Sequence, residues 1–239
     1  AADGLSRRPA AAATRGDYAG AISDLTRAIA LAPKDARYFY QRAKTHAEDK
    51  EPARAMADVD KALALMPGNV DMLLFRARLR LDRGDMAKAA EADDAELEAA
   101  DRAATPQADN RLAIASGYID LIQETGRRGL YQPALAQLAL WLQYHPEDYR
   151  VPDAINARCW LRAITGRELD QALADCNRSL RMRGKIADTL DSRGLVQLRL
   201  GAFARSIADY DAAIRLRPKT PTSLYGRGLA KQRNGDEAG

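Results

Sequence analysis

The feature that most constrains this chain is a spacing. Leu190, Arg193, Gly194 and Gly201 recur 34 residues later as Leu224, Arg227, Gly228 and Gly235. Near the start, Ala21, Ala55 and Ala89 keep the same interval, as do Gly16, Lys50 and Gly84, while Ala28 pairs with Ala62 and Pro33 with Pro67. A unit that repeats at this distance cannot bury its apolar face alone, so copies must stack and share one core.

Each copy reads as two amphipathic helices and a tight turn. The stretch from about Ala187 to Leu200 keeps Leu190, Leu195, Val196, Leu198 and Leu200 apolar. Gly194 sits inside it, at a cost of roughly 1 kcal/mol against Ala, so it needs a packing reason, which a close approach of two backbones supplies. From about Ala202 to Arg217, Phe203, Ile207, Tyr210, Ala213 and Ile214 share one face, between Gly201 and the stop at Pro218. The same logic predicts helices over Asp17–Leu31, Ala36–Glu48, Pro52–Leu65, Val70–Arg83, Met86–Arg102, Gln107–Glu124, Tyr131–Tyr144, from about Ala154, and over Thr220–Asn234. Asp or Asn restarts several of them.

The pattern Leu190-x2-Arg193-Gly194-x2-Gln197, followed by Ser206-x3-Tyr210 and Pro218, resembles the tetratricopeptide (TPR) family. Leu190 stands where that family has Trp, Arg193 for Leu, Gln197 for Tyr and Ser206 for Ala. The match rests on Gly194, Tyr210, Pro218 and the period. The resemblance implies an all-α fold, an α-α superhelix of about six helix-turn-helix repeats plus an orphan C-terminal helix. It implies a concave groove lined by the first helix of each pair, where such proteins commonly bind extended peptides or partner helices.

Spacing also locates an irregular region. Pro67 to Pro146 is two periods plus 11 residues, and Ala89 to Ala134 is one period plus the same 11. The surplus falls between Ala89 and Ala134, so repeats over about 86–150 should be stretched. One solenoid is therefore expected over 17–239. Residues 1–16 are expected to be poorly ordered or a partial first helix, because Pro9 interrupts an apolar-poor stretch.

Three- and four-residue spacing assigns the groove face. Around Gly194 the stripe away from the partner helix holds Asp188, Asp191, Leu195 and Leu198. Registration adds Arg37, Tyr40 and Lys44; Asp71, Leu74 and Arg78; Ile114 and Tyr118; Asp153, Asn156 and Trp160; Thr222, Tyr225 and Leu229. The lining is aromatic and aliphatic at its centre, basic towards the N-terminus and acidic towards the C-terminus, which suits an amphipathic or dipolar peptide. Tyr40, Trp160 and Tyr225 fit packing between neighbouring first helices equally well. A TPR subclass grips a C-terminal carboxylate with Lys and Asn on successive first helices. Here Lys44 is followed by Leu74 and Arg78, which disfavours that role.

Other functions are argued down from the residues. No run of about 18 apolar residues is present, so membrane insertion is not expected. The 37 basic and 33 acidic residues interleave, as on solvated helices. His46 and His145, the two histidines, lack ligand-spaced partners, and no phosphate loop, GxSxG elbow or EF-hand pattern occurs. The acidic run Glu91–Asp101 lacks the loop glycine of a calcium site. Neither enzyme activity, cofactor nor metal is expected. RNA recognition by a related repeat is disfavoured because Leu74, Trp160, Leu195 and Leu229 occupy the reading positions. Cys159 and Cys176 fall on facing helices; two buried thiols are the default, with a bridge forming in an oxidising compartment.

The expected function is a non-enzymatic scaffold for a protein or peptide ligand. An alternative follows from the Arg-, Ala- and Asp-rich repeats, which are similar to those of alpha-proteobacterial TPR proteins, some carrying a protease-like domain: an accessory region of a larger secreted bacterial enzyme. The Ala-rich start is consistent with a processed terminus, favouring a periplasmic or secreted location. The stop at KQRNGDEAG suggests a piece of a longer protein. The uncovered Leu224, Tyr225 and Leu229 predict self-association through the last helix.

Overall fold

The structure, a computed structural model, describes residues 17–81 and 86–236, with the backbone alone for residue 81 and residues 86–94. The expected first helix within 1–16 and the expected end of a helix at Arg83 lie outside the described residues. Among the described residues the secondary structure is helical throughout, with no strand. The helices are α1 (Tyr18–Leu31), α2 (Ala36–Glu48), α3 (Pro52–Leu65), α4 (Val70–Leu81), α5 (Met86–Ala103), α6 (Arg111–Thr125), α7 (Tyr131–Tyr144), α8 (Val151–Thr165), α9 (Leu169–Arg183), α10 (Ala187–Arg199), α11 (Phe203–Leu216) and α12 (Pro221–Arg233). The chain forms two compact units, Ala1–Thr105 and Pro106–Gly239.

Local chemistry sets the boundaries. Asp17 caps α1 by accepting from the Gly20 amide at 2.9 Å, and Asp35 caps α2 by accepting from the Arg37 amide at 3.0 Å. Asn69 accepts from the Met72 amide at 3.0 Å at the head of α4. Helix α8 starts at Val151, ahead of the expected Ala154, because Pro152 is tolerated in a first turn that has no amide partners to lose. The turn between helices calls for a left-handed residue: Gly201 has φ of 76°, and Lys50, at the matching place between α2 and α3, is held at 59°. The stretched region is visible in α5, which runs 18 residues against 14 in α3, α7 and α11, and in a 3₁₀ turn over Arg128–Leu130 ahead of α7.

In the first unit α2 packs on α3 and α4 on α5; in the second the pairs are α6/α7, α8/α9 and α10/α11, with α12 against both α10 and α11. Each pair is closed at one recurring place. Ala43 and Val59 are fully buried there in α2/α3. In α8/α9 the counterparts Cys159 and Cys176 form a disulfide, with Cα atoms 5.6 Å apart. The default of two free thiols is thereby corrected: the facing positions bring the two sulfurs within bonding reach. In α10/α11 the counterparts are Gly194 and Tyr210. A Cβ on Gly194 would stand 3.0 Å from the Tyr210 ring, so the glycine makes room for the aromatic. Ser206 uses the same close approach, donating to the Gly194 carbonyl at 2.8 Å.

One residue before each of these positions, an arginine ties pairs together. Arg42 grips Asp58 through two nitrogens at 2.6 and 2.8 Å and donates back to Thr26 at 2.9 Å. Arg193 grips Asp209 at 2.7 and 2.6 Å and reaches back to Asn177 at 2.8 Å. Arg76 joins Glu96 ahead and Asp60 behind, Arg158 grips Asp175, and Arg227 reaches back to Asp211. Two fork-shaped bonds forward and one backward match the planar guanidinium, which a lysine could not reproduce. These charges are not the solvated surface that interleaving suggests. Asp58, Asp175 and Asp209 are buried, so each would be costly without its arginine.

Candidate functional site

The residues predicted to line a groove separate by unit. In the first unit the stripe is closed by its own contacts. The Tyr40 hydroxyl donates to the Asp71 carbonyl at 3.3 Å, its ring meets the edge of Phe75 at 5.5 Å between centroids, and the Lys44 ammonium lies 4.8 Å above it. Burial pushes the Tyr40 phenol up to about 12, which keeps it a neutral hydrogen-bond donor. Arg37 is turned onto its own cap, Asp35, at 2.7 Å. Leu74 is half-buried and Arg78 exposed. In the second unit Tyr118 is 2% exposed and belongs to the core of α6 rather than to an open surface.

Of the remaining predicted residues, Asp153, Asn156, Trp160, Asp188, Asp191 and Thr222 are brought together. On the face shared by α8, α10 and α12 lies a pocket of about 280 Å³. Its walls include Asn156 and Trp160 from α8, Asp188 and Asp191 from α10, and Thr222 and Ser223 from α12. The helical period places 156 and 160, and 188 and 191, on one side of their helices, so three parallel first-type helices present one continuous lining. The Trp160 indole nitrogen donates to Gln123 of α6, which fixes the ring.

Charge in the pocket is unevenly spent. Asp153 is paired with Arg183 at 2.6 Å and Asp188 with Arg217 at 2.5 Å. Asp191 accepts from the Ser223 hydroxyl, and among the described residues it has no ion pair. Burial raises its pKa above the ordinary carboxyl value, and the neighbouring Asp188 charge raises it further, against the hydrogen bonds from Ser223 and Thr222. The Asn156 carbonyl oxygen is buried with no hydrogen-bond partner.

Leu195 and Leu229 lie apart from this pocket. With Leu198 and Phe203 they line a second hollow of about 420 Å³ near Gly201, and Leu195 also packs on the cluster around the disulfide. Tyr225 is 76% exposed and Leu224 42% exposed on α12, outside the pocket lining.

Sequence reasoning passed over three residues. Ser223 and Arg217 shape the pocket, and Ser223 was findable, since registration by 34 places it opposite the small buried Thr189. Gly226 is the third. The repeat register singles out Gly228 as the partner of Gly194, but a Cβ on Gly228 would meet nothing, whereas one on Gly226 would run into the Tyr210 ring. Tyr210 therefore sits between glycines of α10 and α12, the two helices that carry one side of the pocket.

Two titratable clusters lie elsewhere. His46 is buried against Glu51 at 2.8 Å, and hydrogen bonding from His46 lowers the Glu51 pKa. Contrary to the reading that no acidic cluster surrounds His145, Asp109 and Asp148 come within reach of it. Arg150 bonds both carboxylates and lies 5.2 Å over the Trp141 ring, so the charge a metal ion would meet is already taken by a guanidinium.

Comparison with known proteins fits this architecture. A family described as Tetratricopeptide repeat matches residues 10–70 and 192–239. A search of curated protein sequences returns no match. Among solved structures, a tetratricopeptide repeat protein from Parabacteroides merdae is 17% identical, with 98% of this chain and 87% of that one covered at a TM-score of 0.73. PilW, described as a widely conserved type IV pilus biogenesis factor, is 17% identical over 94% of this chain and 97% of its own, at 0.70. YrrB, described as a TPR protein with an unusual peptide-binding site, is 20% identical over 85% and 97%, at 0.58. At these identities the likeness is one of fold. Among the described residues, no helix is long and apolar enough to cross a membrane.

Proposed function

We propose that this chain, which shares the fold of tetratricopeptide-repeat proteins, a fold that generally serves as a protein-interaction scaffold, binds an extended peptide segment of a partner protein on the α8/α10/α12 face. The observation that carries this reading is the lining: a pocket on the first-type helices holds the Trp160 side chain and Asp191, which has no ion pair among the described residues. A half-buried carboxylate without a cation costs stability, and a bound peptide that brings one offsets that cost. On the corresponding face of the first unit the Tyr40 hydroxyl donates to the Asp71 carbonyl and the Tyr40 ring carries the Lys44 ammonium.

The test compares pull-downs from an extract of the source organism. Wild type should recover a partner that Trp160→Ala with Asn156→Ala loses at unchanged circular dichroism. Recovery of the same partner by both would place binding elsewhere. Exposed Tyr225 and Leu224 support a secondary proposal, self-association through α12; light scattering showing a monomer at high concentration would remove it.

A further inference from the structure

We infer that the α8/α10/α12 pocket is a subsite for an arginine side chain of the bound peptide, with Asp191 as its counter-charge; the inference rests on the peptide-binding reading above. Three carboxylates could supply negative charge, and they differ in what they still have to offer. Asp153 and Asp188 are committed to Arg183 and Arg217. Arg217 itself lines the pocket, but its charge is held by Asp188. That leaves Asp191, bonded only by hydroxyl donors.

Consider each class of side chain in turn. A carboxylate would face Asp191 with no free cation to receive it. An aliphatic chain would leave the half-buried Asp191 charge with its hydroxyl donors alone and no counter-charge. An ammonium would neutralise Asp191 as a point charge but offers no flat surface to the Trp160 ring. A guanidinium brings five N–H donors in a plane, enough to fork onto a carboxylate, and it stacks on an indole face. The pocket, at about 280 Å³, lies at the small end of ligand cavities, ~300–1,000 Å³, a size suited to one side chain. Burial already holds the Asp191 carboxyl reluctant to ionise, and a guanidinium placed against it would reverse that.

The experiment is selection of a phage-displayed random heptapeptide library on the full chain and on Asp191→Asn. The expected result is enrichment of peptides with arginine at one fixed position on wild type alone. A synthetic copy of the leading peptide should lose at least ten-fold in affinity when that arginine is replaced by citrulline, its neutral isostere, and similarly on Asp191→Asn. Enriched peptides with no basic residue, whose binding Trp160→Ala abolishes, would overturn the arginine subsite and leave peptide binding standing. Equal affinity for the arginine and citrulline peptides would do the same. No enrichment over an uncoated surface would overturn the peptide-binding reading and this inference with it.

Discussion

The first-type helices of the two units carry the same stripe to opposite ends. In α2 the stripe positions are Tyr40 and Lys44; the ammonium lies over the tyrosine ring, and the tyrosine reaches α4 through Asp71 and Phe75. In α8 the matching positions are Asn156 and Trp160; the amide oxygen is left buried and unpartnered, and the indole is fixed from behind by Gln123. One face is finished by packing and the other is left incomplete beside a carboxylate that burial disfavours. The difference teaches that position within a repeat does not make a residue a binding residue; what matters is whether the fold has already used its polar atoms.

That comparison can be broken most severely at Tyr210, which keeps α10 and α12 apart by standing between Gly194 and Gly226. Tyr210→Ala should destabilise by about 3–5 kcal/mol, as for large buried aromatics, and abolish peptide binding through loss of the wall. Thermal melts and binding measured together would show it. Gly194→Leu, which overpacks the same contact, should cost about 1–3 kcal/mol in wild type and much less in Tyr210→Ala, a coupling that a double-mutant cycle reads directly.

Next in size is the disulfide that closes α8/α9 where Gly194 and Tyr210 close α10/α11. Cys159 and Cys176 are 17 residues apart, and removing such a link costs about 3 kcal/mol in the chain-entropy account. Denaturant melts with and without reductant should differ by that order in wild type and not at all in the Cys159→Ala, Cys176→Ala double variant.

A smaller effect sharpens the contrast between faces. Tyr40→Ala should cost about 1–2 kcal/mol, through lost packing and a weak hydrogen bond, and leave peptide affinity unchanged. Trp160→Ala, half-buried, should lose binding with less change in melting.

The smallest effect has the opposite sign. Asp191 has a raised pKa, so its folded form holds the proton more tightly than the unfolded chain. It therefore subtracts stability once ionised above that pKa, and the penalty fades as pH falls through it. Asp191→Asn should leave the melting temperature unchanged or slightly higher at neutral pH while binding falls, and the stability difference between the two should vanish in acid.

The helices and their order were legible because the 34-residue interval and the Gly, Pro and Asp punctuation act locally. Gly194 was legible as a close-approach site, and helical spacing alone put Asp191, Asn156 and Trp160 on one stripe, the one that lines the pocket. What was not legible depends on distances across the stack. Nothing in the spacing tells that Arg193 spans from Asp209 to Asn177, because the arginine's reach, not the pattern, joins three helices. Tyr118 shares its helical position with half-buried Lys44 and Trp160 and exposed Arg78, and is itself buried by its own surroundings. Gly226 escaped because the repeat register favours Gly228, whereas Tyr210 reaches one turn away from that position.

The most direct test of the proposed binding face is site-specific photo-crosslinking. Benzoylphenylalanine placed at Thr222, exposed at the pocket rim, and at Arg178, exposed on the outer face of α9, samples the two sides of one unit. Crosslinks to a bound peptide or partner from position 222 and none from 178 are the result predicted here. Crosslinks from 178 with none from 222 would contradict it.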